Sequence, residues 1–143
     1  MTRIIPRLMA AVISLAFAAQ LMAAELKGVS PDQVAALQRD NAILVDIRTP
    51  EEWRKTGLIP GSQPLTYFDA QGHYDTAAWL KQLNQLSADK NRPIVLICRS
   101  GHRSEQVGNL LAKELGYGQV YHLQTGIKGW LEQHKPVSAC VSC

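Results

Sequence analysis

The chain has 143 residues, 46% of them hydrophobic, a size that suits one domain around one core. Its formal charge of +3 depends on Arg3 and Arg7, which stand in a leading segment without an acidic residue; without that segment the charge is +1, too little to support a nucleic-acid binder. No internal repeat or low-complexity tract is present, and the cysteines are Cys98, Cys140 and Cys143.

The first stretch reads as an export signal. Arg3 and Arg7 make a basic start, and Leu8 to Ala19 is an apolar run of about a dozen residues, in the signal-peptide range and too short to span a bilayer comfortably. Small residues at Met22-Ala23-Ala24 favour cleavage after Ala24, with Ala16-Phe17-Ala18 as another choice. The expected plan is a cleaved signal peptide over 1–24, a globular domain over 25–136 and a tail over 137–143. Such a protein is periplasmic and keeps no stable membrane anchor. A lone thiol in that oxidising compartment is a liability unless it is used or shielded.

In the mature part, Ser30-Pro31-Asp32-Gln33 carries an N-cap, a proline at the first helical position and a capping-box glutamine, so a helix runs to about Gln38. Asn41 turns the chain into a buried strand, Ala42 to Val45, ending at Asp46. Arg48 follows, and either it lies with Asp46 near a site beyond the strand end or it pairs with Glu51 or Glu52 and pins the next turn. Trp53, Trp79 and Trp130 fall on helices and read as core. Gly57 to Pro64 is turn-rich with a short edge strand at most. Tyr67 to Tyr74 is a polar-aromatic loop able to wall a site, with His73 solvated. A helix from about Asp75 to Leu86 presents Ala78, Trp79, Leu83 and Leu86 to the sheet.

Pro93 to Ile97 is an uninterrupted apolar strand, and Cys98 stands at its carboxyl end. From Ser104 to Leu115 the apolar residues fall at helical spacing, with Gly116 as a stop. The joining residues Cys98-Arg99-Ser100-Gly101-His102-Arg103 therefore sit at a helix N-terminus, where free N–H groups and the helix dipole favour an anion. Gly101 permits a concave turn of N–H donors. A cysteine there, beside Arg99 and Arg103, is in the setting that lowers a thiol pKa, and a thiolate near neutral pH is expected. His102 is either a third positive group or a solvent-facing spacer. Gln119 to Leu123 reads as the last strand, Ile127 to Gln133 as the last helix, and Pro136 as the end of the globular part. His122 and His134 have no partner at metal-ligand spacing and read as bland; no metal site or cofactor is implied. The closing Cys140-Val141-Ser142-Cys143 either closes on itself as a disulfide or serves Cys98 as an acceptor or resolving pair.

A strand ending in Cys-Arg-x-Gly-x-Arg resembles the active-site loop of single-domain rhodaneses, the thiosulfate sulfurtransferases; the resemblance covers most of the chain and is to exported bacterial rhodaneses of the phage-shock type. Asp46-Ile47-Arg48 with Glu52-Trp53 is similar to the family's Asp-x-Arg segment. Ile59-Pro60-Gly61-Ser62 resembles its Ile-Pro-Gly-Ala turn, and Gly126-Ile127-Lys128-Gly129-Trp130 its closing segment. Leu58 replaces the family's usual His and Thr125 its first Gly. The resemblance implies an α/β fold with a central, mostly parallel five-stranded sheet flanked by helices on both faces. It also implies transfer of sulfur from thiosulfate through a Cys98 persulfide to cyanide or another thiophilic acceptor, with Arg99, Ser100, Gly101, His102 and Arg103 binding substrate. A tyrosine-phosphatase-type loop needs Cys-x5-Arg, and Ser104 stands at that position. Two other readings stay open: a sulfur carrier or binding module serving a protein acceptor, and a thiol redox protein working through Cys140 and Cys143 with a thiol-disulfide partner.

Overall fold

Ile43–Asp46 and Ile94–Ile97 are buried at every position, as expected of strands covered on both faces. The computed structural model describes residues 23–143, so the expected leader from Met1 to Met22 lies outside the described residues. The elements are β1 (Lys27–Val29), α1 (Pro31–Arg39), β2 (Ile43–Asp46), α2 (Pro50–Thr56), β3 (Gln63–Pro64), α3 (Thr76–Leu86), β4 (Ile94–Ile97), α4 (His102–Lys113), β5 (Val120–Leu123) and α5 (Gly126–Glu132). The strands lie in the order β1-β5-β4-β2-β3, and every strand pairing is parallel.

The period of two along each strand divides the core. Ile43, Val45, Ile94, Leu96 and Val120 face one side with Trp79 and Leu83 of α3 and Val107 and Leu111 of α4. Leu44, Val95, Ile97 and Leu123 face the other with Val34 of α1 and Ile127 and Trp130 of α5. From β2 the chain passes through α2 to β3 on one side, and from β4 through α4 to β5 on the other. The strand order therefore reverses between β2 and β4, and a crevice forms beyond their carboxyl ends. Asp46 and Cys98 both stand there.

Some expectations need correction. α4 starts at His102, two residues before Ser104, because Gly101 takes a left-handed conformation that turns the chain directly into the helix. On α3 only Trp79 and Leu83 are fully buried, one turn apart; Ala78 is exposed and Leu86 in the last turn is 37% exposed. Tyr67 packs edge-on against Trp79. With Phe68 and Tyr74 it lines a cleft against Gln106, Val107 and Leu110 of α4. Packing also continues past Pro136: Leu58 and Ser138 exchange backbone hydrogen bonds of 2.9 Å each, and Ser138 thereby satisfies the backbone that leaves α2. Cys140 and Cys143 are joined in a disulfide.

Asp46 and Arg48 are 0% and 1% exposed and bind each other, with Arg48 Nε at 2.9 and 3.1 Å and Nη2 at 2.7 Å from the Asp46 carboxylate. Arg48 also donates to Thr56 Oγ1 at 2.7 Å and to the Gly57 carbonyl at 2.9 Å, and Trp53 Nε1 donates to Asp46 at 3.0 Å. Removing one member leaves the other charged and uncompensated, at a cost of about 3–5 kcal/mol. Urea titration of Arg48→Met should show a loss of that size; a loss below about 1 kcal/mol would mean that the pair carries little of the fold.

Candidate active site

The residues from Cys98 to Gly101 form a loop held from below by α5. The Cys98 carbonyl accepts from Ile127 N–H at 2.9 Å, and the Arg99 carbonyl from Lys128 N–H at 3.1 Å. This contact requires glycine at two positions: a Cβ on Gly126 (φ 63°) would overlap the Arg99 carbonyl, and one on Gly101 (φ 99°) would overlap the Gln124 carbonyl. Thr125, which replaces the family's first glycine, has φ −93° and needs no left-handed backbone. Its side chain fills the space that a Cβ on Gly129 would need.

Cys98 is buried, with its sulfur turned toward the N-terminus of the 12-residue α4. Gly101 N–H donates to Sγ at 3.1 Å, and the thiol donates to Ser104 Oγ at 3.3 Å. The helix dipole and the Gly101 amide both favour negative charge on the sulfur. Among the described residues no other loop amide is bonded to it.

The expected site residues divide into two groups. Arg99, Ser100 and His102 are exposed. Arg99 shares a cavity at the carboxyl end of the sheet with Glu51, Glu52, Lys55, Thr56 and Ile127. Arg103 is turned to Glu52, with Nη1 and Nη2 at 3.0 and 2.7 Å from its two oxygens, so much of its charge is answered by a carboxylate. Asp46 and Arg48 lie at the same end of the sheet, but Arg48 contacts Asp46, Thr56 and Gly57 and not Glu51 or Glu52; it acts as a strut. The disulfide pair Cys140 and Cys143 lies on the tail held by Leu58, with Arg54 donating to the Cys143 carbonyl at 2.6 Å.

Four residues at the site escaped the sequence reading: Glu52 as partner of Arg103, Lys55 on the cavity wall, and Ser104 and His122 behind the sulfur. Ser104 Oγ lies 3.1 Å from His122 Nδ1. The signal for His122 was its phase: along β5 it shares a face with Val120, the side on which α4 packs.

Burial raises the pKa of Glu52, but the bond from Arg103, the Thr49 N–H and the charges of Arg103 and Arg48 outweigh it and bring the value from 4.5 to about 2. A depressed folded-state pKa stabilises the fold above the unfolded value and loses that effect as pH falls from about 4.5 toward 2. Glu52→Gln should therefore flatten the acid limb of the stability profile, read as denaturation midpoints across that range. An unchanged slope would show that the pair is not coupled to folding.

Comparison with known proteins agrees with this geometry. A family model described as a rhodanese-like domain matches residues 30–133. A sulfurtransferase of Allochromatium vinosum is 34% identical over 100 residues, 70% of this chain and 81% of its own length. The thiosulfate sulfurtransferase GlpE of Pseudomonas syringae pv. syringae is 28% identical over 106 residues, 74% of this chain and 88% of that one. Among solved structures, the polysulfide-sulfur transferase homodimer of Wolinella succinogenes has the same fold, with a TM-score of 0.63 at 21% identity over 82% of this chain and 81% of that one. With its fold, loop and matched span in agreement, the chain belongs to the rhodanese-like family of sulfurtransferases.

Proposed function

We propose that the protein transfers sulfane sulfur from thiosulfate to a thiophilic acceptor through a persulfide on Cys98, and that it does so after export to the periplasm. The observation that carries the reading is the position of the Cys98 sulfur at the head of α4, bonded by the Gly101 amide, with Arg99 exposed beside it. The thiolate attacks the outer sulfur of thiosulfate, a new S–S bond forms, and the old one breaks with its electron pair leaving on sulfite. An acceptor such as cyanide, a small thiol or a protein thiol then takes the outer sulfur and returns Cys98 to the thiolate. Splitting the transfer into two displacements gives ping-pong kinetics.

Arg103 is held by Glu52, so Arg99 and Lys55 are the cations left to meet a dianionic donor at the cavity. Their long side chains keep to solvent, and Arg99 offers a planar fork suited to two oxygens of one anion. A hydrogen bond to a charged group contributes about 1.5–3 kcal/mol. On that scale Arg99→Ala raises the KM for thiosulfate by about tenfold or more. Export rests on the basic and apolar leader and on the small residues ending at Ala24.

The test is one preparation with two readouts. The full chain is expressed in a bacterium with an outer membrane, the periplasmic protein is recovered, and its first residue is read by N-terminal sequencing; Glu25 is expected. That protein, given thiosulfate and cyanide, should release sulfite and form thiocyanate at enzymatic rates, and Cys98→Ser should not. Retention in the cytoplasm with the leader intact overturns the export reading. If the wild type makes no more product than Cys98→Ser, the enzymatic reading fails and a sulfur carrier serving a protein partner replaces it.

A further inference from the structure

Behind the Cys98 sulfur a hydrogen-bonded row leads away from the substrate side. Sγ lies 3.3 Å from Ser104 Oγ, which lies 3.1 Å from His122 Nδ1 and 3.1 Å from the Gly101 carbonyl. Cys98 is 1%, Ser104 0% and His122 7% exposed, so the row is inside the protein. The other ring nitrogen, Nε2, has no hydrogen-bond partner among the described residues. It still touches solvent, because Tyr117 Oη is the side-chain polar atom both sealed and unpartnered there.

We propose that Ser104 and His122 form a relay that takes the proton of the Cys98 thiol to solvent and then holds the thiolate. The proton passes from Sγ to Ser104 Oγ as the Ser104 proton passes to His122 Nδ1, and Nε2 releases a proton to water. No electron moves. The bonds along the row are thereby reversed: before, the thiol donates to Ser104, whose one proton is shared between the Gly101 carbonyl and His122 Nδ1; afterwards His122 donates to Ser104, and Ser104 to the sulfur anion. The same positions thus serve both states with no change of geometry, and the Gly101 carbonyl remains beside Ser104 as a second acceptor.

The surroundings suit a ring that is neutral at rest. Burial pushes the His122 pKa down, against the charge of Glu105 and the Gly101 backbone. From α4 the ring meets Ser104 and the Glu105 charge; from β4 it is opposite Leu96, with Cys98 two residues on; from β1 it is opposite Gly28. The neighbouring Lys27 is turned over the Tyr121 ring.

The inference rests on Cys98 being the reacting sulfur, and its test needs no sulfur donor. With Cys140 and Cys143 bonded, Cys98 is the free thiol, and its rate of alkylation by iodoacetamide is followed against pH. Ser104→Ala and His122→Asn should each raise the pH of half-maximal rate by about one unit, a tenfold lower thiolate fraction near neutrality. The double variant should add little, as members of one chain of bonds act together. A packing role alone would lower the melting temperature of these variants and leave the pH profile in place. Wild-type profiles in folded Ser104→Ala and His122→Asn overturn the relay, as does a fully additive double variant. Where His122→Asn does not fold, His122→Gln and Ser104→Ala provide the same comparison. Loss of thiosulfate turnover with the alkylation shifts intact would count against the proposed substrate and leave the relay standing.

Discussion

Arg48 has its guanidinium engaged on three sides, and much of the site's rigidity can be traced from it. Its Nε and Nη2 hold the Asp46 carboxylate at the end of β2, Nη1 reaches Thr56 at the end of α2, and Nη2 also donates to the Gly57 carbonyl just beyond it. The bonds run from strand to helix and fix how α2 leaves the sheet. α2 then carries Glu52 to the place where it holds Arg103, the second residue of α4. Through this series a buried ion pair at one strand end positions the helix that starts beside the sulfur at the next. A buried pair is weak as a source of net stability, because desolvation offsets most of the attraction. Its effect here is geometric: with donors and acceptors all directed, the carboxylate and guanidinium have few other places to go.

That arrangement also divides the charges of the loop between structure and chemistry. A reading of the loop alone counts Arg99 and Arg103 together as cations for an anionic substrate. In the folded protein Arg103 is half-buried in a two-pronged bond to Glu52, whereas Arg99 is exposed. Lys55 on α2 stands on the same cavity as Arg99. Stabilisation of negative charge on the sulfur thus falls to the N-terminus of α4 and the Gly101 amide, with Arg99 and Lys55 standing outside as exposed cations.

The sheet, its helices and the position of Cys98 were legible in the sequence because they rest on local rules. Continuous apolar runs mark doubly covered strands, Ser30 caps a helix with a proline at its first turn, and a cysteine between strand and helix has one place to stand. Partnerships across long separations were not legible. Glu52 and Arg103 are 51 residues apart, and Ser104 and His122 are 18 apart. No local pattern states that α2 and α4 meet at the sheet's carboxyl end. The strand order decides it, and with it the roles of Glu52, Lys55 and His122. The pairing of the tail with the domain was hidden for the same reason: Leu58 lies 80 residues before its partner Ser138.

The central claim is that Cys98 itself carries sulfur as a covalent persulfide. Intact-protein mass spectrometry after brief exposure to thiosulfate, without acceptor and without reductant, tests it most directly. The account predicts a mass gain of one sulfur atom, mapped to the peptide containing Cys98, removed by cyanide and absent from Cys98→Ser. A protein that turns over thiosulfate while Cys98 stays unmodified, or whose added sulfur maps to Cys140 or Cys143, would contradict it.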